Sequence, residues 1–308
     1  MGKHARQAPL KKKIVLTSAV LLTVGALIAA YFLIVQGVLF EKKEVKRDIV
    51  LRKAGQATTV GHDKVVRILV LGSDSRNSSI RGSRSDGNML IQLNPDRSAD
   101  IVSFPRDSYV PIAGGGTRKI NSALAFGGPE RTVKTVENYS GLKIDYYMVT
   151  SFPGFTGMVN AIGGLKFTFD KPLNDRMAGA SFSSGTKVLS GGDALAVARS
   201  RHIAGGDFTR QANQQKLAIA ALKQERKRSN NMGLVLKLVP VITKRVDTDL
   251  SYKELFSLLR SGLKTDPNKI TARVLQGGSG GGGGGSVVHL NRTYANQVFR
   301  QMKAKEGK

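Results

Sequence analysis

The chain has 308 residues, with 48 Lys and Arg against 22 Asp and Glu, a net charge of +26, and 41% hydrophobic residues. This is a globular composition, neither disordered nor collagenous, and long enough for one or two domains. Cysteine is absent and the four histidines form no H-E-x-x-H pair, which excludes disulfide frameworks, thiolate zinc sites, cysteine nucleophiles and that type of metalloprotease helix.

Ile14 to Phe40 carries no charge, and its one amide is Gln36. About 20 apolar residues cross a bilayer as a helix, whereas the apolar part of a cleaved signal peptide spans roughly 7–15. The run therefore predicts an uncleaved transmembrane helix at 14–40, behind a tail at 1–13 and ahead of a mixed-charge stalk at 41–64. Basic residues flank the span almost equally, so the positive-inside rule leaves its orientation open. The first 40 residues hold five positive charges and no acids, so the remainder carries +21. Such a field attracts polyanions: nucleic acid, anionic headgroups or phosphoglycans.

From 65 to 308 the pattern is one α/β domain. Val65–Leu71 is a short apolar, β-branched run ended by Gly72, hence a buried strand. Met89–Leu93 and Asp100–Phe104 read as a hairpin around the turn Asn94-Pro-Asp-Arg97. Thr132–Tyr139 predicts a short helix capped by Gly141, Asp145–Val149 a strand, Phe155–Ile162 a helix and Leu165–Phe169 a strand. Leu195–Arg201 and Asp207–Arg228 are helical, with Asp207 near the positive end of the second. Gly233–Thr243 fits a core helix slightly better than a strand. Ser251–Leu263 opens with a Ser251/Glu254 capping box and continues as an amphipathic helix. Ile270–Leu275 and Val287–Leu290 are closing strands, and Thr293–Lys303 a terminal helix. Gly277–Ser286, with eight glycines and two serines, reads as a flexible loop within this domain. Alternating strands and helices favour helices on both sheet faces.

Three clusters could carry chemistry. Ser73-Asp-Ser-Arg76 follows the first strand, and Arg84-Ser-Asp86 precedes the next. Ligands in α/β sheets sit at strand carboxyl ends. Asp74 and Asp86 could share a hard cation such as Mg²⁺, which takes one or two carboxylates plus phosphate oxygens; solvated turn residues would look the same. Arg106 leaves a strand behind Pro105 and suits a phosphate, or a local pair with Asp107. Arg199, Arg201 and Arg210 form an anion cage or a solvated basic face, and Gln214 lies one helical turn beyond Arg210. No P-loop, G-x-G-x-x-G or G-x-S-x-G motif is present.

In this order the clusters resemble the LytR-CpsA-Psr family. The resemblance runs through RILVLGSDSR (67–76), RSDGNMLIQLNP (84–95), SFPRDSYVPI (103–112), KINSALAFGG (119–128), IDYYMVTSFPGF (144–155), AIGGL (161–165), LSGGDALAVARSRH (189–202) and DFTRQANQQ (207–215). It implies a three-layer α/β/α sandwich with an apolar groove, behind one N-terminal anchor. The N-terminus is then cytoplasmic and the domain extracytoplasmic. It implies a phosphotransferase that takes a glycopolymer from a polyprenyl-pyrophosphate carrier and joins it to peptidoglycan through a phosphodiester, typically at the muramic acid 6-hydroxyl. By similarity Asp74 and Asp86 hold Mg²⁺ or Mn²⁺. Asp74, Asp86 and Arg106 are the catalytic set, and Arg76, Arg106, Arg118, Arg199, Arg201, Arg210 and Gln214 meet the pyrophosphate. Either carboxylate could take the proton, although a metal ligand is a poor base, and the base stays unassigned. The chain departs from the family pattern at Gly87-Asn88, where Thr or Ser and a bulkier apolar residue are usual. It departs again at Asn160, usually Asp, and at Asn213, usually Arg. The loss of a positive charge at Asn213 motivates an alternative, a non-catalytic binder of polyprenyl phosphate or wall polymer. A nucleic-acid-binding regulator is disfavoured, because no helix-turn-helix or related motif is visible.

Overall fold

The computed structural model describes residues 64–76, 79–80, 82–227, 231–282 and 285–306. The run at 14–40, with the tail before it and the stalk up to residue 63, lies outside them. Among the described residues no helix is long and apolar enough to cross a membrane.

Strand β1 (Val66–Ser73) runs antiparallel to β2 (Ser85–Leu93), and β2 antiparallel to β3 (Ala99–Ser103). The turn between β2 and β3 falls at Asn94–Arg97 as predicted: Asn94 N–H donates to Ser98 O at 3.0 Å, and Arg97 takes a left-handed φ of 62°. A small hairpin follows, β4 (Tyr109–Ile112) with β5 (Gly115–Lys119). Helix α1 (Ser122–Ser140) then leads to β6 (Tyr146–Thr150), parallel to β1. After α2 (Phe152–Ala161), β7 (Leu165–Phe169) pairs with β10 (Gly185–Leu189), and β8 (Leu173–Asp175) with β9 (Ala180–Phe182), each pair a sheet of its own. Three helices come next, α3 (Gly191–Arg199), α4 (Gly206–Arg226) and α5 (Asn231–Arg245). Strand β11 (Val246–Thr248), helix α6 (Tyr252–Lys264) and strand β12 (Ile270–Val274) follow. The large sheet has the order β11-β6-β1-β2-β3-β12.

Period two along β1 explains the layers. Leu69 and Leu71 meet Val133 and Val136 of α1, and Val298 and Phe299 of α7 (Arg292–Lys303). Val66 and Ile68 face the opposite way, toward Val235 and Val239 of α5 and Leu255 and Leu258 of α6. A strand covered on both faces reads as a near-continuous apolar run, interrupted here at Arg67. Each fully buried Leu or Val contributes about 1.5–3 kcal/mol. Helices α2, α3 and α4 gather round a further cluster that includes Val159, Leu165, Val197 and Leu217.

Local signals set several boundaries. The capping box forms: Ser251 N–H donates to Glu254 Oε2 at 2.8 Å, and Glu254 N–H to Ser251 Oγ at 3.3 Å. Gly233–Thr243 is helical within α5. Helix α1 is longer than the predicted Thr132–Tyr139, because a kink hides its first part from a periodicity reading. Gly127 (φ −157°) and Gly128 (φ 71°) leave the helical conformation, and Pro129, with no N–H to satisfy, restarts it. Gly141 closes it in the left-handed conformation, with its N–H on Glu137 O at 2.8 Å.

The glycine-rich stretch corrects the sequence reading. It is an antiparallel ribbon rather than a flexible loop, β13 (Gly277–Gly282) with β14 (Gly285–Leu290). Each residue of the stretch has the backbone groups for a ladder, and at Gly277, Gly280 and Gly282 a neighbour occupies the place of a side chain. A Cβ on Gly277 would stand 2.4 Å from His289 O, and one on Gly282 3.3 Å from the Tyr109 ring. The ribbon is tied to the loop after β3, where Val288 N–H donates to Asp107 O at 2.9 Å.

Candidate active site

The site starts from an irregularity in the β1–β2 ladder. Gly72 pairs with Gly87, but Ser73 pairs with Ser85, so Asp86 is an extra residue with no partner across the ladder. Such a bulge re-aims a side chain and frees its backbone groups. Both consequences are visible. Asp86 Oδ1 accepts from Arg106 Nη1 at 2.9 Å, and Oδ2 lies 3.6 Å from Arg210 Nη1. The freed Asp86 carbonyl accepts from Arg210 Nη2 at 2.9 Å and from Gln211 Nε2 at 3.2 Å.

The first turn of α4 completes the clasp. Asp207 Oδ2 accepts the backbone N–H of Arg106 at 3.2 Å, and its Oδ1 pairs with Arg210 Nη2 at 2.5 Å. Asp107 reaches Arg106 Nε at 3.5 Å and Lys119 Nζ at 2.9 Å. The β2 bulge, the β3 exit and the start of α4 are thus held by charge-assisted hydrogen bonds, the stronger kind.

Burial sets the electrostatics. Arg210 is only 2% exposed. That burial, with the charges of Arg106 and Arg201 nearby, holds its guanidinium below the usual arginine value, although Asp207 and Asp86 pull the other way. For Arg106 burial also works against the charge, but the hydrogen bond and ion pair with Asp86 outweigh it, with help from Asp107 and Asp207, and lift it above the usual value. Arg210 Nε and Gln211 Oε1 are buried without a hydrogen-bond partner. Polar atoms left so are costly unless a ligand or water meets them.

Beneath the cluster opens a cavity of about 520 Å³. Asp86, Arg199, Arg210 and Gln214 line one part of it. Most of the rest is apolar, with Ile68, Val70 and Met89 from the sheet and Met158, Leu222 and Leu238 from the helices. At Gly87 a Cβ would stand 2.9 Å from Gln214 Oε1, so a larger residue there would shift that side chain. Gln214 Nε2 donates to Ala198 O at 3.0 Å. Asn160 keeps a capping role, its Oδ1 accepting Gly191 N–H at 2.8 Å. Asn213 is buried with its Nδ2 unpaired.

The candidate residues are not all gathered. Asp86, Arg106, Arg210 and Gln214 converge with Arg199, whose guanidinium also stacks on the Phe152 ring, 5.0 Å from its centroid. Arg201 lies just past the end of α3, its charge felt by Arg210. Asp74 is exposed beside the bulge; its N–H donates to Arg84 O at 3.0 Å and its Oδ1 accepts Arg84 N–H at 2.9 Å. Arg76 is exposed in the loop after β1. Arg118 stands apart on β5, over the Phe126 ring at 5.4 Å, with no ion pair among the described residues. Asp107, Lys119, Asp207 and Gln211 also belong to the cluster: the local pair of Arg106 with Asp107 that the sequence allows forms at 3.5 Å, and Asp207, expected at the start of the helix, pairs with Arg210. The i, i+3 spacing of Asp207 and Arg210 points to that second pair. Nothing in the sequence marks Gln211.

No group of three or more His, Cys, Asp or Glu residues suited to a metal occurs among the described residues. Asp74 and Asp86 stand at the adjacent ends of β1 and β2.

The cavity is thus largely apolar, with Arg199 and Arg210 in one part of its wall. The chain matches the LytR_cpsA_psr family model over residues 35–304 and belongs to that family. It is 37% identical over 205 residues to the polyisoprenyl-teichoic acid–peptidoglycan teichoic acid transferase TagU of Bacillus anthracis; the match spans 66% of each chain, just under two thirds. The crystal structure of B. subtilis TagV superposes with a TM-score of 0.68 at 27% identity, covering 79% of this chain and 97% of that one. The structure of TagT bound to LI-WTA gives 0.68 at 26% identity, with 83% and 95% covered.

Proposed function

We propose that the chain transfers a teichoic acid or related wall glycopolymer from a polyprenyl-pyrophosphate carrier to peptidoglycan. The observation that carries this reading is the junction of a deep apolar cavity with the Asp86, Arg199, Arg210 and Gln214 wall. The apolar part suits an isoprenoid chain, and the guanidinium groups suit the two phosphates. The names of the relatives, which act on teichoic acid and peptidoglycan, support the same substrate class.

In this reading the acceptor hydroxyl oxygen bonds to the sugar-side phosphorus. The bond from that phosphorus to the bridging oxygen breaks, and polyprenyl monophosphate leaves with the electron pair. The hydroxyl proton passes to a base or to water. Arg106 and Arg210, fixed before the substrate arrives, meet charge as it develops on the phosphoryl oxygens. Arg199 and Gln214 orient the head group at the cavity wall. Asp74 and Asp86 would hold Mg²⁺ or Mn²⁺, which supplies further neutralisation of phosphate charge. We place the chain in the cell membrane through a single helix at 14–40, with the N-terminus cytoplasmic and the domain outside.

The test uses the full-length chain in detergent with a synthetic polyprenyl-pyrophosphate oligosaccharide and a peptidoglycan oligomer, with Mg²⁺ or with EDTA, and products read by mass spectrometry. A phosphodiester-linked product that needs the metal is expected. Lipid bound but neither transferred nor hydrolysed would instead establish the non-catalytic binder, and Asn213→Arg would then be the first reversion.

A further inference from the structure

We propose that Asp175 is a positioning residue for the arginine cage: its buried carboxylate grips the backbone just beyond α3 and so sets where Arg201 meets the anionic head group. The inference rests on the transferase reading for what the head group is, and on geometry alone for the grip.

Asp175 ends β8, and its side chain is wholly inaccessible. Its Oδ2 accepts the backbone N–H of both Arg201 and His202, each at 2.8 Å. Its Oδ1 accepts Ala178 N–H at 3.1 Å and lies 3.3 Å from His202 Nδ1. Burial works to raise its pKa, and the donors from His202, Arg201 and Ala178 outweigh it and bring it down to about 2.

The need for this grip follows from the helix end. Helix α3 stops at Arg199, and Ser200 turns extended (ψ 115°). From Arg201 onward the chain has left the helical ladder. Four residues later come Gly205 and Gly206, with φ of 85° and 55°, and then α4 with Arg210. The segment joins two arginine-bearing helices, and a carboxylate taking two successive N–H groups fixes it where the helix no longer does. The grip falls on the backbone and not on the guanidinium. Arg201 forms no ion pair among the described residues, so its charge stays available. Docking of the β8–β9 hairpin has its own source, since Ala178 and Ala180 pack on Ala196 of α3. A carboxylate is not needed for that contact.

The test is a double-mutant cycle in the full-length chain, well below the thermal midpoint of each variant. Asp175→Asn keeps the shape but lacks the charge and one acceptor oxygen. It is expected to lower kcat about ten-fold with KM for the lipid little changed, the size of a small misplacement at a reacting centre. In the Arg201→Ala background the same change is expected to cost less than about two-fold, because coupled residues are not additive. Losses that multiply, or an Asp175→Asn variant with unchanged kcat, would overturn the proposal. If Asp175→Asn does not fold, Asp175→Glu, which keeps the charge one methylene out of place, carries the same cycle. A parallel cycle reads inorganic pyrophosphate binding by calorimetry without acceptor. Wild-type chain that binds pyrophosphate but transfers nothing would defeat the transferase reading, and the binding cycle would still decide the role of Asp175.

Discussion

At one end of β1, β2 and β3, Arg67 Nε donates to Gln92 Oε1 at 2.7 Å, and Gln92 Nε2 donates to Asn94 Oδ1 at 2.8 Å and to Met302 O at 2.9 Å. Asn94 Nδ2 reaches Asp100 Oδ2 at 3.0 Å, and Lys305 Nζ the same oxygen at 2.7 Å. At the other end of the same strands stand Asp86, Arg106, Asp207, Arg210 and Gln211. Both clusters bury charge. At the first end the buried amides and charges meet one another, and Arg67 Nη2 and Arg273 Nη1, which lack a hydrogen bond, still lie near Glu306 and Asp100 at 2.5 and 3.6 Å. At the second end Arg210 Nε and Gln211 Oε1 have no partner. A closed polar network fastens α7 to the sheet. An open one, with the Arg210 Nε donor still unmet, is poised for an anion.

The largest effect tests the closed end. Asp100→Ala would strand Lys305 and Arg273, and should cost about 3–5 kcal/mol in urea unfolding, as loss of one partner of a buried pair does. Transfer per folded molecule should hold, and a matching fall in transfer would erase the contrast between the ends. Arg210→Ala addresses the open end. It should lower transfer about 10²–10³-fold, the range for removing one preorganised donor. A variant with near-normal transfer would make Arg210 a structural residue only. Acid gives a subtler probe. Asp175 is depressed from 3.8 to about 2, so its stabilisation is present above 3.8 and is lost as pH falls through about 2. The stability gap between wild type and Asp175→Asn, read by denaturant titration, should therefore narrow across that window and stay constant above it. The smallest effect lies far from both ends. Ser251→Ala removes the cap of α6 and should cost about 1 kcal/mol, with transfer unchanged.

Much of the frame was legible. The apolar run of β1, the turn at Asn94–Arg97 and the Ser251/Glu254 box are written in neighbouring residues, and short-range physics acts on neighbours. Strand β13 is not legible because glycine carries no periodicity to read; its pairing depends on β14 and on the Tyr109 ring nearby. The first part of α1 is hidden because Gly127 and Gly128 interrupt the pattern.

For the site, the sequence carries the residue types: carboxylates at the ends of β1 and β2, an arginine after β3, arginines around the α3–α4 junction. It also determined the family, through motifs in a fixed order. Tertiary structure decided which of these meet. Asp86 reaches Arg106 and Arg210 because a one-residue bulge turns it there. Asp207 and Gln211 enter because α4 crosses the strand ends, and Arg118 stands apart because the β4–β5 hairpin carries it toward Phe126. Asp175 grips Arg201 across 26 positions of sequence. Contacts between distant segments have no local period, so they arise only when the layers pack.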